Sequence, residues 1–163
     1  MTPISGRWLE VIVAAAGVTA VAVIGALTTE IGPWYESLRY PSWRPPNWLF
    51  GPAWTVIFIL IGVSGVLAWE RAPSVIAREW LCILLAINGI LNVFWSLLFF
   101  KLRRPDRALV EVVALWLSIL ALVLFIGAYS FTAAAFMVPY LAWVSIAGLL
   151  NLRVVQMNAP FGG

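Results

Sequence analysis

The sequence predicts an all-α integral membrane bundle of five transmembrane helices, and three observations carry that prediction. Of 163 residues, 63% are hydrophobic and 10% charged, far from the balance of a water-soluble domain. Uncharged runs cover 11–29, 45–69, 80–100 and 112–152. A bilayer core needs about 20 helical residues, so the first three runs each suit one crossing. The fourth is too long for one, and Gly127, Tyr129, Ser130 and Thr132 supply a polar turn that divides it in two.

The expected helices, within one domain over 1–163, are 8–28, 48–69, 74–100, 107–128 and 133–156. The first spans fully, follows no strong basic segment and ends in Glu30 without a small-residue cleavage site, so it reads as a span and not as a cleaved signal. Asn47 is the expected N-cap of the second, and Pro52 is expected to bend its first turns. An odd number of crossings puts the termini on opposite sides. Arg7, Arg71 and Arg78 fall on one side; Arg39, Arg44, Lys101, Arg103, Arg104, Arg107 and Arg153 fall on the other. The positive-inside rule then places the first and third loops and the C-terminus in the cytoplasm and the N-terminus outside, in a multi-pass protein best suited to a bacterial cell membrane.

The net charge of +3 is centred on 101–107, where topology and lipid headgroups account for it; no nucleic-acid module is present, and no nucleic-acid partner is expected. One cysteine, Cys82, excludes an intramolecular disulfide, and the absence of histidine removes the usual ligand for zinc or haem iron. No metal or other cofactor is expected. Glu10, Glu79 and Glu111 all fall toward helix ends, and Glu111 is expected to lie near Arg107 one turn earlier. A coupled pump ordinarily carries a charged or unwound site at mid-membrane, so active transport ranks low.

The membrane interior instead carries stripes of aromatic and amide residues. Asn88, Asn92, Trp95 and Phe99 share one face of the third helix; Tyr140, Trp143, Ala147 and Asn151 share one of the fifth; Trp54, Phe58, Ile61 and Gly65 share one of the second. Buried amides must turn inward, because acyl chains offer them no partner. Packing between helices explains Asn88, Asn92 and Asn151, and an aromatic belt explains Trp8, Trp69 and Trp80. Trp54, Trp95 and Trp143 lie deeper, where indoles fill space poorly unless a flat molecule is accommodated. Before them runs "RYPSWRPPNWLFGPAW", residues 39–54, with four prolines stiffening its backbone. Such a segment suits a lid across one end of the bundle, with Trp43, Pro45 and Trp48 in it, Tyr35 of the lid just before it, and Arg39 and Arg44 at its rim.

Several residues together resemble the translocator protein family, which includes the bacterial tryptophan-rich sensory proteins and the mitochondrial peripheral benzodiazepine receptor. They are Trp34-Tyr35, Leu38, Pro41-Ser42-Trp43, Pro45-Pro46, Trp48, Gly51-Pro52 and Trp54, then Asn92, Trp95 and Phe99-Phe100, then Pro139 through Trp143 with Leu150-Asn151. The resemblance implies a five-helix bundle, a homodimer, and a cavity under the first loop that takes protoporphyrin-type tetrapyrroles, sterols or synthetic benzodiazepine-site ligands. Trp54, Phe58, Asn92, Trp95, Tyr140, Trp143, Ala147 and Leu150 are the ligand-binding residues it implies. It also implies, for some bacterial members, light-dependent loss of protoporphyrin with Trp143 and Trp54 as the catalytic residues.

This chain departs from the pattern at Tyr40, where many members have lysine, at Phe58, often tyrosine, at Ser96 and Leu97, often proline, and at Arg107, a tryptophan in animal members. Leu152 and Gln156 replace the tyrosine and arginine of the animal sterol motif, which argues against a sterol as native ligand. Three function classes follow: a tetrapyrrole-binding protein that senses, sequesters or transports porphyrins; a photo-oxidative enzyme; and a passive carrier or lipid-binding membrane protein. No acid–base or nucleophilic constellation points to conventional catalysis.

Overall fold

The computed structural model describes residues 4–161, with side chains from residue 8 onward. Among the described residues are five long helices, each long and apolar enough to cross a membrane, one short helix and one π-helical turn. The helices are α1 (Ile4–Thr28), the short α2 (Pro33–Ser37), α3 (Asn47–Arg71), α4 (Val75–Ser96), α5 (Pro105–Gly127) and α6 (Phe131–Asn158). The all-α five-span bundle is thus the observed architecture, and the chain is a multi-pass integral membrane protein.

Local chemistry sets the boundaries. Ser74 and Ser130 cap α4 and α6, accepting from the backbone N–H of Ala77 at 3.1 Å and of Ala133 at 3.3 Å. Proline opens α2 and α5, where its fixed φ suits the first turn and its missing N–H costs nothing. The expected cap at Asn47 is not formed. Pro46 occupies that position, and the Asn47 side chain instead accepts a hydrogen bond from the Arg44 guanidinium. Helix α4 continues through a π-helical turn at Leu97–Lys101, which carries the buried Leu98 and Phe99. The chain then reverses within three residues, with Arg103 at a φ of 53°. Arg104 closes the turn on Asp106, donating from Nε to Oδ1 at 2.8 Å and from Nη2 to Oδ2 at 2.5 Å.

Around the bundle the order is α1, α3, α6, α5, α4 and back to α1. Packing is unequal around this ring. Leu115, Ile119, Leu122 and Ile126 of α5 are fully buried, as are Tyr140 and Val154 of α6 and Leu81 of α4. On α1, by contrast, Leu9, Ile12, Val13, Val23 and Leu27 are all exposed. One close contact holds it to α4: a Cβ at Gly89 would stand 3.0 Å from Cγ2 of Val21. A five-membered ring with one loosely seated helix leaves space beside that helix.

Candidate functional site: an aromatic-walled cavity beside α1

The well-packed side of the ring is tied together by amides. Asn88 donates from Nδ2 to Ser118 Oγ at 2.8 Å, linking α4 to α5, and Asn92 donates from Nδ2 to the Tyr140 hydroxyl at 3.0 Å, linking α4 to α6. Trp95 donates from Nε1 to Asn151 Oδ1 at 3.2 Å, and Asn151 passes the chain on from Nδ2 to the Pro105 carbonyl at 2.8 Å. All three asparagines are buried, each with a partner across a helix boundary.

Between α1, α3 and α4 lies a cavity of about 830 Å³. Val18 and Val21 form its α1 wall, Phe58 and Gly65 its α3 wall, Asn88 and Asn92 its α4 wall, and Tyr140 of α6 its back. Its lining also includes the exposed Ile24, Ile90 and Phe94, so the cavity opens sideways between α1 and α4. It holds few polar groups besides the two amides and the phenol, with Glu10 at the far end from Phe94.

The structure divides the residues expected to bind ligand. Phe58, Asn92 and Tyr140 line the cavity; Trp54, Trp95, Trp143, Ala147 and Leu150 do not. Trp54 nevertheless stacks on Phe58, with centroids 5.5 Å apart and planes at 29°, and meets Tyr140 edge-on at 6.1 Å. It stands outside the lining, stacked beside Phe58 and one helical turn nearer the first loop. Trp143 stands edge-on to Phe50 at 5.7 Å, and its buried Nε1 has no hydrogen-bond partner. Trp95 is packed against Phe99 and Phe100 and bonded to Asn151. Leu150 is buried and Ala147 half-buried.

The first loop closes its end of the bundle by a different construction from the one expected. Tyr35 is buried against Phe100 at 5.5 Å and Tyr40 at 5.3 Å, and the Tyr40 hydroxyl donates to the Tyr35 carbonyl at 2.8 Å. The Arg44 guanidinium lies 3.9 Å from the Tyr40 ring centroid and 5.3 Å from that of Tyr35. Burial pushes the Tyr40 phenol above its ordinary value, Tyr35 adds to the rise, and Arg44 opposes it. At Arg39 the exposed side chain takes no part: the backbone N–H donates to Asn158 Oδ1 at 2.8 Å and the carbonyl accepts from Nδ2 at 2.9 Å, pinning the loop to the end of α6. Pro45 is half-buried. Trp43 and Trp48, expected in the lid, are 48% and 72% exposed, because rings flanked by proline-fixed backbone project away from the bundle.

Two more expectations are corrected. Glu111 does not pair with Arg107: it is 8% exposed, on the face of α5 that packs between α4 and α6, and neither carboxyl oxygen has a hydrogen-bond partner. Trp69 is more than a belt residue, since its Nε1 donates to Glu10 Oε1 at 3.1 Å and its ring lies 5.2 Å from the Arg78 guanidinium. Spacing along the chain had no means of joining residues so far apart in sequence.

The fold and the cavity define a five-span membrane protein that keeps a small-molecule-sized apolar chamber, walled and backed by aromatic rings. The profile of the TspO/MBR family matches residues 11–157, and the chain belongs to that family. It is 33% identical over 153 residues to the tryptophan-rich protein TspO of Archaeoglobus fulgidus, an alignment covering 93% of this chain and 98% of that protein. It is 31% identical to the tryptophan-rich sensory protein of Cereibacter sphaeroides, covering 85% of each. To the translocator protein of Bos taurus it is 33% identical, covering 77% of this chain and 75% of the bovine one.

Proposed function

We propose that the cavity and its aromatic wall bind a protoporphyrin-type tetrapyrrole, and that the protein senses, sequesters or transports porphyrins. The cavity itself carries this reading. At about 830 Å³ it falls in the range of small-molecule sites, and Phe58 and Tyr140 present ring surfaces to a flat apolar disc, with Trp54 stacked on Phe58 behind them. Asn92 and the Tyr140 hydroxyl offer polar contacts at the back. Trp143, Ala147 and Leu150 would join the site on ligand-driven movement at the first-loop end, and Trp95 would hold the α4 wall. The names "sensory" and "translocator" among the relatives support a role in signalling or transfer. Synthetic benzodiazepine-site ligands would occupy the same chamber. A homodimer in a bacterial cell membrane, with the first and third loops and the C-terminus cytoplasmic, completes the reading.

Trp143 favours a second reading, photo-oxidative degradation. Its indole N–H is buried without a partner, so the ring is held in a dry aromatic setting where an oxidised intermediate would be shielded from water. One experiment tests both. Purified protein is titrated with protoporphyrin in the dark, following tryptophan quenching, and then illuminated while porphyrin absorbance is recorded. Saturable quenching that Trp54→Ala and Phe58→Ala weaken is the expected result. Accelerated porphyrin loss that Trp143→Phe abolishes establishes the second reading, and an absence of saturable quenching ends both.

A further inference from the structure

We propose that the end of the cavity away from the first loop is a site for a zwitterionic phospholipid, with one acyl chain in the groove, the phosphate on Arg78 and the ammonium group facing Glu79. The inference goes beyond tetrapyrrole binding and does not need it.

The groove follows α4 from Leu81 to Leu97, about 24 Å at the helical rise. That length exceeds one leaflet, roughly half of a 30 Å core, so a complete acyl chain fits. The groove is open sideways, and its walls are too apolar to hold water in place. In a bilayer, a hydrocarbon chain is the matching filler.

The headgroup assignment comes from a second depression, lined by Trp69, Val75, Arg78, Glu79, Cys82 and Ile83. It shares Trp69 and Cys82 with the main cavity, so the two spaces adjoin where the span meets the α3–α4 turn. Arg78 is fixed there by Nε donating to the Trp69 carbonyl at 3.2 Å and by the indole beneath its guanidinium. Among the described residues, its two terminal nitrogens have no hydrogen-bond partner. A pre-positioned guanidinium fork with open donors suits a phosphate. Glu10, across the groove, is engaged by Trp69 Nε1, whereas Glu79 is exposed on the same depression as Arg78. A cation and an anion side by side match a phosphate followed by an ammonium group, and a purely anionic headgroup would meet Glu79 unfavourably.

The test is a native mass spectrometry titration of delipidated full-length protein, without porphyrin, using three lipids with identical oleoyl chains. Phosphatidylethanolamine carries both charges, phosphatidylglycerol only the phosphate, and diacylglycerol neither. The expected order of affinity is that order, with about fivefold between the first and last. Arg78→Gln should bring both phospholipids to the diacylglycerol level, while Arg78→Lys retains part of the difference. Glu79→Gln should remove only the advantage of phosphatidylethanolamine over phosphatidylglycerol. Ala86→Phe, which fills the groove, should weaken all three, and thermal unfolding of each variant checks that it is folded. Equal binding of the three lipids, or a folded Arg78→Gln protein with an unchanged preference, overturns the proposal. Because no tetrapyrrole is present, that result leaves the porphyrin reading to its own test.

Discussion

Replacing Asn151 by leucine should destabilise the bundle although the new side chain is more apolar and of similar size. Asn151 is 1% exposed and makes two interhelical bonds, accepting from Trp95 Nε1 at 3.2 Å and donating to the Pro105 carbonyl at 2.8 Å. Side-chain hydrogen bonds within membrane bundles average about 0.6 kcal/mol and reach about 1.7, so two of them amount to roughly 1–3 kcal/mol. The indole N–H weighs most in this sum, because the Trp95 ring is 9% exposed and its nitrogen would be left without an acceptor. Reversible unfolding in mixed micelles with increasing sodium dodecyl sulfate, followed by circular dichroism, measures the loss. A cycle with Trp95→Phe isolates the pair, and a coupling of about 0.6–1.7 kcal/mol is expected. If Asn151→Leu lies within about 0.3 kcal/mol of the parent, or the coupling vanishes, the amide does not hold these helices together and the reasoning fails.

Glu111→Leu should act in the opposite direction, raising stability by about 1–3 kcal/mol in the same unfolding assay, because both buried carboxyl oxygens lack partners. A neutral or destabilising result would mean that Glu111 has a partner in the membrane. Gly89→Ala should press α1 outward by a few tenths of an ångström through the 3.0 Å approach to Val21, and any loss of stability should vanish in combination with Val21→Ala. A Cβ at Gly17, a lining residue of the cavity, would meet no neighbouring atom within 4 Å, so Gly17→Leu should weaken protoporphyrin quenching without unfolding the protein. The Tyr40 phenol, raised from an ordinary value of 10.0, stays protonated in the fold when it would ionise in the unfolded chain. Its contribution is therefore present below about pH 10 and is lost as pH rises above it. Limited proteolysis of the first loop should speed up there, and Tyr40→Phe should remove that dependence.

How far the sequence reaches depends on the range of the interaction. The uncharged runs and the Ser130 break placed all five spans, because length and capping are local properties. The 3.6-residue period correctly grouped Asn88, Asn92 and Trp95, since any helix that buries one of them buries the others. Partner choice was not legible. Trp69 bonds Glu10 and Arg71 donates to Ser130, each pair 59 positions apart. Arg44, expected at the rim of the lid, is engaged by Tyr35, Tyr40 and Asn47, whereas Arg78, which looked like a marker of topology, keeps open donors.

The same difference of range explains why the cavity was expected directly beneath the first loop. Tryptophans show where large rings lie, but a void is set by side-chain volumes summed over helices whose order in the ring must first be known. Here the thin wall is α1, where Val18 and Val21 face Gly62 and Gly89 and Gly17 has no neighbour close enough to meet a Cβ. Space therefore persists beside Phe58, on whose other side Trp54 is stacked. An apolar ligand entering such a chamber has its direct route from the bilayer, through the gap between α1 and α4, and not from water past a loop pinned to Asn158. The seating of α1 against Gly89 would then govern the rate of ligand exchange more than the mobility of the first loop.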